Sequence, residues 1–148
     1  MISNRFRVWY VSKVLKVMHY SKDSYFENNV YFGKGDLVSI GSNCQVNENV
    51  FIQAAKIGND VMIAPNVAIL SKSHHHEDVS TPMILQGETE HQQVIIENNV
   101  WIGRNAIIMP GVVVREGCIV GAGAVVTKST EPNTIVGGVP AKLIKRRG

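Results

Sequence analysis

The residues with the clearest capacity for acid–base chemistry are histidines. Four of the five histidines fall within residues 71–94, and three of them, His74, His75 and His76, are consecutive. A metal site is one interpretation, but neighbouring residues of an extended chain point to opposite sides, and metal sites usually space their ligands. A solvent-exposed histidine tract is a second. We favour a third, in which one histidine acts as general base and no metal is bound, because imidazole titrates near neutrality and can take a proton from a hydroxyl.

Basic residues concentrate at the two ends of the chain. The net charge is +3, yet residues 30–138 contain six Lys or Arg against ten Asp or Glu. A nucleic-acid-binding protein usually carries a broader basic face with aromatic residues. The terminal clusters therefore predict contact with a phosphorylated small molecule or an anionic surface, and no nucleic acid. Their members are Arg5, Arg7, Lys13, Lys16 and Lys22 in front and Lys142, Lys145, Arg146 and Arg147 behind.

The sequence contains no recognised nucleophile motif and no phosphate-binding loop motif. No Gly-x-Ser-x-Gly occurs, and Gly121-Ala122-Gly123 lacks the strand–helix context of a dinucleotide fingerprint. Cys44 and Cys118 each follow an apolar repeat residue by four positions, which predicts two buried core thiols instead of ligands or nucleophiles. Two such cysteines fit a reducing compartment, and we expect a cytoplasmic protein.

A six-residue period must position these groups. Apolar residues recur at every sixth position from Ile96 to Val126, with a second register of small or β-branched residues four positions later. Helices repeat at three to four residues and half-buried strands at two, so this period predicts an all-β solenoid. The same period runs through residues 40–69 with one residue missing between Ile52 and Ile57. Residues 71–94 break it and predict a protruding loop.

One domain spanning residues 1–148 is expected, with the β-helix over residues 30–138. Residues 1–22 predict a short amphipathic helix that caps the open end of the solenoid, too polar for a signal peptide or a membrane span. The alternative is a helix that rests on an anionic bilayer surface. The basic segment 140–148 predicts a short C-terminal helix, because Pro140 is a helix-start signal. The apolar residues of the N-terminal pattern are Phe6, Trp9, Tyr10, Val14, Leu15, Val17 and Met18.

The repeats resemble those of the hexapeptide-repeat acyltransferases, whose fold is a left-handed parallel β-helix. Residues 57–67 resemble the coil that precedes the catalytic loop of that family. In its sugar O-acetyltransferase branch the catalytic histidine follows the last valine of that coil by seven residues, which corresponds here to His74. The loop pattern Asp78, Pro82, Gln86-Gly87 also resembles acetyltransferases of bacterial surface-polysaccharide clusters, and Asp78 is then a candidate contact to the acceptor.

The C-terminal half is similar to the wall along which this family binds coenzyme A. The matching stretches are residues 99–103, 120–128 and 138–142. The resemblance implies acetyl-CoA as acyl donor, with the thioester and pantetheine arm along Arg104 and Ala122. It also implies that Thr127 and Lys128 contact the far end of the donor, with Lys142 and Lys145 beside its phosphates. The family usually has a small residue at the position of Arg104, and corner geometry alone is the other interpretation of the Gly/Ala run.

Residues 47–49 resemble the Asn-x-Asn of the sugar enzymes, whose first asparagine contacts the acceptor, so Asn47 is a candidate substrate ligand. A stacked corner asparagine is the alternative. The resemblance implies an acetyl-CoA-dependent O-acetyltransferase that acts on a sugar, a glycan precursor in bacterial surface-polysaccharide synthesis, with its site between subunits of a homotrimer. The rival interpretations are an acyltransferase for an amino sugar or an amino acid such as serine, and a non-catalytic β-helix scaffold.

Overall fold

A computed structural model describes residues 3–33 and 35–148 and contains, within them, one α-helix and sixteen short strands. The helix α1 spans Asn4–Lys13. The strands are β1 Tyr25–Phe26, β2 Tyr31–Phe32, β3 Val38–Ile40, β4 Gln45–Val46, β5 Phe51–Ile52, β6 Ala55–Ile57, β7 Met62–Ile63, β8 Ala68–Ile69, β9 Val94–Ile96, β10 Trp101–Ile102, β11 Ile107–Ile108, β12 Val113–Val114, β13 Ile119–Val120, β14 Val125–Val126, β15 Thr134–Gly137 and β16 Lys142–Arg146.

The strands form three sheets that are the sides of a triangular prism. Sheet 1 has the order β1-β4-β7-β10-β13-β15-β16, sheet 2 the order β2-β5-β8-β11-β14, and sheet 3 the order β3-β6-β9-β12. Each strand pairs in parallel with the equivalent strand of the next coil, except for the antiparallel pair β15–β16. The single missing residue before Ile57 is absorbed at a corner, since Ile57 still pairs in register with Ile40 and Ile96.

The inward positions of successive coils stack into one core. The six-residue register from Ile96 to Val126 is buried throughout, and so is the second register, which confirms the period predicted from the sequence. Burial of each Ile or Val contributes about 1.5–3 kcal/mol relative to exposure, so the stack is the main source of stability. Cys44 and Cys118 are free and fully buried, as predicted, and burial raises the pKa of the Cys44 thiol.

A ladder of asparagines holds the corner between sheets 1 and 2. At this corner the side-chain amide of each asparagine donates to the side-chain oxygen of the next, over 3.3, 3.1 and 3.1 Å. All four have left-handed backbone, with φ between 56° and 62°. Asparagine tolerates this conformation better than other residues with a Cβ. The ladder consists of Asn29, Asn49, Asn66 and Asn105.

Replacement in the middle of the ladder is expected to destabilise the fold. Asn66→Ala removes the bonds to both neighbours and leaves at φ +62 a residue without the side-chain hydrogen bonding that lets asparagine tolerate left-handed backbone, a conformation that costs an ordinary residue about 1–2 kcal/mol. Asn66→Gly removes the same bonds without the backbone strain, so its loss should be smaller. Thermal unfolding of the two variants measures the difference, and an Asn66→Ala protein as stable as the parent would contradict the role of the ladder.

The prediction of a C-terminal helix is wrong. Residues Lys142–Arg146 form strand β16, which runs antiparallel to β15. The described residues after β15 form no further coil, and an unpaired strand edge exposes its backbone donors and acceptors. The tail satisfies that edge by turning back at Pro140, whereas an isolated helix of a few residues would be marginal in water.

The N-terminal helix lies across the other end of the prism. Its side chains bond to the free edge of β1: Phe26 donates its N–H to Asn4 Oδ1 over 2.7 Å, and Arg7 Nε donates to the Phe26 carbonyl. Val8 and Val11 are buried against the first coil. The prediction of which apolar residues face the solenoid is therefore only partly correct. The exposed side chains include those that the sequence pattern assigned to it, namely Phe6, Trp9, Tyr10, Val14 and Leu15, while Val17 and Met18 are buried as expected.

Candidate active site

The segment between β8 and β9 is a paired hairpin that projects from the corner between sheets 2 and 3. Its two arms bond through the backbone: Gln92 donates to Ser71 over 2.6 Å, Thr89 to Ser73 over 2.9 Å and His75 to Gly87 over 3.0 Å. The predicted protruding loop is thus present. Its local geometry is that of a two-stranded ribbon, which can hold a side chain in a fixed orientation.

The base of the hairpin is anchored in the solenoid. Ser71 is fully buried, and its N–H donates to Gln53 Oε1 of the coil below over 2.8 Å. Its hydroxyl lies 2.7 Å from Nδ1 of His91 on the opposite arm. On the other side, Gly111 of the next coil donates to the Gln92 carbonyl over 2.9 Å. These contacts transmit the rigidity of the prism to the hairpin.

His74 lies on an exposed face of the hairpin beside two charged residues. It forms an antiparallel bridge with Glu88 on the other arm, and directly opposed residues of such a pair point to the same side. Lys72, two residues before His74, contacts the Glu88 carboxylate through Nζ. The hydrogen bond from Lys72 lowers the pKa of Glu88, and the nearby His74 and His91 imidazoles act in the same direction. Sequence reasoning missed Glu88 and Lys72, because only the pairing of the two arms brings them beside the histidine.

The other two histidines of the tract have different surroundings. The His75 imidazole lies 3.7 Å from the Glu77 carboxylate, and His76 Nδ1 lies 3.0 Å from the His74 carbonyl oxygen. The three side chains therefore do not converge. Among residues 3–33 and 35–148, no group of three His, Cys, Asp or Glu residues has a geometry that could hold a metal ion.

Asp78 organises the tip of the hairpin. Its carboxylate accepts hydrogen bonds from the Ser80 N–H and hydroxyl, over 2.8 and 2.6 Å, and from the Thr81 hydroxyl over 2.7 Å. These bonds lower the pKa of Asp78 to about 2, with the Ser80 hydroxyl contributing most. Gln86 closes the tip by donating to the carbonyls of Asp78 and Thr81, each over 2.7 Å. The carboxylate expected to contact an acceptor is thus already engaged within its own loop.

The corner between sheets 1 and 2 brings three of the candidate ligands into one column. Asn47 and Arg104 lie on different coils, and Arg104 Nη2 reaches Glu48, next to Asn47, over 3.7 Å. Ala122 lies one coil further, where the adjacent Gly123 donates to the Arg104 carbonyl over 2.8 Å. Asn47 Nδ2 donates to the Ile63 carbonyl over 2.9 Å, so one end of its amide serves the stacking of the coils.

Two of the three basic residues of the C-terminal strand, Lys142 and Lys145, share one face of sheet 1. Lys142 is opposite Gly137 and Lys145 is opposite Ile135, while Val136 between them is buried. A bulge between Ile135 and Val136 keeps both lysines on the outward side despite their odd separation. Both are exposed. A helix at this spacing would also have placed them on one face.

The remaining candidates lie at another corner. Thr127 and Lys128 follow β14 at the corner between sheets 2 and 3, the corner from which the hairpin emerges. Within one chain the candidate residues therefore occupy four places: the hairpin with His74 and Asp78, the column with Asn47, Arg104 and Ala122, the outward face of sheet 1 with Lys142 and Lys145, and the corner with Thr127 and Lys128.

Comparisons with known proteins identify the family that has this architecture. The model of the family described as bacterial transferase hexapeptide (six repeats) matches residues 93–128. Galactoside O-acetyltransferase of Escherichia coli K12 is 37% identical over 129 residues, which are 84% of this chain and 61% of that protein. The putative lipopolysaccharide biosynthesis O-acetyl transferase WbbJ of the same organism is 37% identical over 124 residues, 78% of this chain and 63% of that protein. The chain thus spans less than two thirds of the length of these two relatives.

Solved structures agree. A maltose O-acetyltransferase from Clostridium difficile 630 superposes with a TM-score of 0.85 at 29% identity, over 100% of this chain and 79% of that one. A galactoside acetyltransferase in complex with coenzyme A superposes with a TM-score of 0.77 at 30% identity, over 98% of this chain and 81% of that one. The fold matches that of the left-handed β-helix acetyltransferases, as the resemblance implied. The chain belongs to the hexapeptide-repeat acyltransferase family, in the branch that contains the sugar O-acetyltransferases.

Proposed function

We propose that this protein transfers an acetyl group from acetyl-CoA to a hydroxyl of a sugar, with His74 as general base. The observation that carries the proposal is the exposed His74 on an anchored hairpin, in a fold whose solved relative was crystallised with coenzyme A. The hairpin suits a general base, because the His74 imidazole is exposed to an approaching acceptor and the backbone that carries it is held by cross-strand bonds.

The reaction needs no covalent intermediate on the protein. The acceptor hydroxyl gives its proton to the His74 imidazole while its oxygen attacks the thioester carbonyl carbon. A C–O bond forms and the C–S bond breaks, and the proton then passes to the departing sulfur, which leaves as the free thiol. This route suits a chain whose two cysteines are fully buried and therefore out of reach of an acyl donor.

Donor binding falls to the outward side of sheet 1 and its corner with sheet 2. Arg104 and Ala122 lie along that corner, and Lys142 and Lys145 supply positive charge at its far end. In this proposal the lysines contact phosphate oxygens, for which ammonium groups are suitable point charges. Thr127 and Lys128 contact the far end of the donor from the neighbouring corner. Asn47 contacts the acceptor through the side-chain oxygen that remains after its amide is used.

A calorimetric titration with acetyl-CoA tests the proposal without knowledge of the acceptor. One site per chain at micromolar affinity is expected. Lys142→Ala and Lys145→Ala should each weaken binding and reduce its salt dependence, because exposed charge interactions are screened by salt. Lys56→Ala, at an exposed position of sheet 3, is the control. No binding at millimolar acetyl-CoA would refute the transferase, and unchanged salt dependence would refute the role of the lysines.

We further propose that the site is completed by a neighbouring subunit in a homotrimer. His74 projects from one corner of the prism, while Arg104 and Ala122 lie at another, so one chain does not bring base and donor together. The tip of the hairpin exposes three apolar side chains that would gain from burial against a second copy. These are Met83, Ile84 and Leu85, with 64%, 84% and 73% of their surface exposed.

The solution mass is therefore expected to be close to three chains. Ile84→Asp should shift the protein towards monomer and lower its activity, because the charge would be placed in the contact; its side chain touches little in the single chain. Glu90→Ala, at an exposed polar position of the same hairpin, should change neither. Light scattering after gel filtration measures the mass, and a fully active monomer would contradict the shared site.

The acceptor is proposed to be a hydroxyl of a glycan precursor for a bacterial surface polysaccharide. The 37% identity to a putative lipopolysaccharide O-acetyl transferase supports this class, and the match to a galactoside enzyme supports a sugar. A screen of acceptors with thiol release as readout separates sugar hydroxyls from amino groups. Acetylation of amino sugars or amino acids alone would overturn the O-acetyltransferase assignment.

A further inference from the structure

The outward face of α1 is aromatic. Phe6, Trp9 and Tyr10 expose 51%, 46% and 41% of their surface. Their rings form one cluster, with centroids 5.7 Å apart for Phe6 and Trp9 and 6.4 Å apart for Phe6 and Tyr10. The cluster lies on the side of the helix opposite Val8 and Val11, which are buried. The helix thus has two apolar faces, and the solenoid covers one of them.

The orientation of α1 places this cluster at the extreme end of the prism. Asn4 and Arg7 bond to the free edge of β1, so the buried face of the helix points along the stack of coils. The aromatic face lies on the opposite side of the helix, and two of its rings, Phe6 and Tyr10, also border a groove between the helix and the first coil. The cluster is therefore at the opposite end of the stack from the last coils, where Lys142 and Lys145 lie.

The segment that carries the aromatic cluster is rich in positive charge. The described residues 3–22 include no Asp or Glu. Arg5, Lys13, Lys16 and Lys22 are exposed, and none of them forms an ion pair within the described residues. Lys13 instead lies over the exposed Tyr20 ring, with Nζ 5.7 Å from its centroid.

The apolar surface continues from the helix towards the first coil. Val14 and Leu15, after the end of α1, expose 48% and 41% of their surface. Beside them a groove of about 390 Å³ runs between the helix and residues 26–32, lined mainly by apolar side chains that include Phe26 and Phe32. Glu27, which also lines the groove, is paired with Arg7 over 3.3 Å. The end of the molecule therefore presents one continuous apolar surface that contains the aromatic rings, on a segment rich in Lys and Arg.

We propose that this end of the protein docks on the surface of an anionic lipid bilayer. Trp and Tyr rings favour the boundary between head groups and acyl chains, and flanking Lys and Arg are attracted to anionic head groups. A second copy of the chain fits the surface less well. A two-fold contact would place the same unpaired cations against one another. No described helix is long and apolar enough to cross a membrane.

Co-sedimentation of the full chain with vesicles tests this proposal. The protein is expected to sediment with vesicles of phosphatidylcholine that contain about one third phosphatidylglycerol. It is expected to stay in the supernatant with vesicles of phosphatidylcholine alone. Each neutralised cation should weaken binding by about fivefold, so the double variant Lys13→Ala/Lys16→Ala should lose about 25-fold. Raising the salt concentration should have a similar effect.

A matched pair of tryptophan variants separates docking from general stickiness. Trp9 and Trp101 have nearly equal exposure, 46% and 47%, but Trp101 lies on sheet 1. Trp9→Ser should abolish most of the binding, and Trp101→Ser should leave it intact. Binding that is indifferent to phosphatidylglycerol, or equal loss in both variants, would overturn the proposal. So would a change of solution mass in Trp9→Ser, which would assign the face to a second copy. Titration with acetyl-CoA tests the proposed transferase separately, because none of these outcomes depends on donor binding.

Discussion

His74→Ala is expected to lower kcat by about 10²- to 10⁴-fold, the usual contribution of a positioned general base. Affinity for acetyl-CoA should stay within about twofold, because the imidazole acts on the acceptor hydroxyl and makes no contact on which donor binding depends. The exposed position of His74 means that the substitution leaves no cavity, so the fold should be unaffected. Steady-state kinetics with an identified sugar acceptor measure kcat, and calorimetry measures the affinity.

The neighbouring histidines are the matched controls. His75→Ala and His76→Ala remove the same side chain from the same exposed tract, and neither residue bridges to Glu88. Both should retain most of the activity. An equal loss in either would transfer the role of base to that residue, and full activity in His74→Ala would remove general-base catalysis from the proposed mechanism.

The repetitive part of the fold was predictable because one rule applies at every coil. An inward side chain must recur where each strand returns to the same side of the prism, and the period of six residues expresses this directly. The asparagines at the corner also indicate its structure, since left-handed backbone restricts the choice of residue. Burial of Cys44 and Cys118 follows from the same register.

The two ends of the chain were less predictable, because their structure depends on what they must cover. The sequence of residues 142–146 has no strong preference that would exclude a helix, and the unpaired edge of β15 decides in favour of a strand. At the N-terminus apolar residues recur at helical spacing on both sides of the helix, so the period alone does not say which side is buried. In the structure, Asn4 and Arg7 bond to β1, and Val8 points inward while Trp9 points outward.

The sequence proposes the candidate site residues one by one, but it does not show how they are arranged in space. The motif spacing selects His74, yet the pairing of the hairpin arms is what places Glu88 and Lys72 beside it. The internal bonds of Asp78 could not be read from the sequence, since they depend on the folded tip. Pairings across a loop are tertiary information that a one-dimensional pattern does not contain.

Gly103→Ala is expected to damage both the fold and donor binding. A Cβ at this position would lie 2.6 Å from the Ala122 nitrogen and 2.8 Å from the Val120 oxygen, both backbone atoms of the next coil. The coils must move apart, at a cost of about 1–3 kcal/mol for such overpacking. The displaced corner is the one that carries Arg104 and Ala122, so acetyl-CoA affinity should fall by about tenfold or more in addition to the drop in unfolding temperature.

Gly123→Asn is the control at the same corner. Gly123 has φ +69, and nothing lies within 4 Å of a Cβ built on it. An asparagine there would extend the existing ladder by accepting from Asn105 Nδ2, so the unfolding temperature should be unchanged or higher. Suppose instead that Gly103→Ala unfolds at the parental temperature and binds acetyl-CoA normally. The coils would then separate at this corner without cost, and the donor would have to bind elsewhere on the prism, because a shift of the Ala122 backbone would disturb any donor contact made along it.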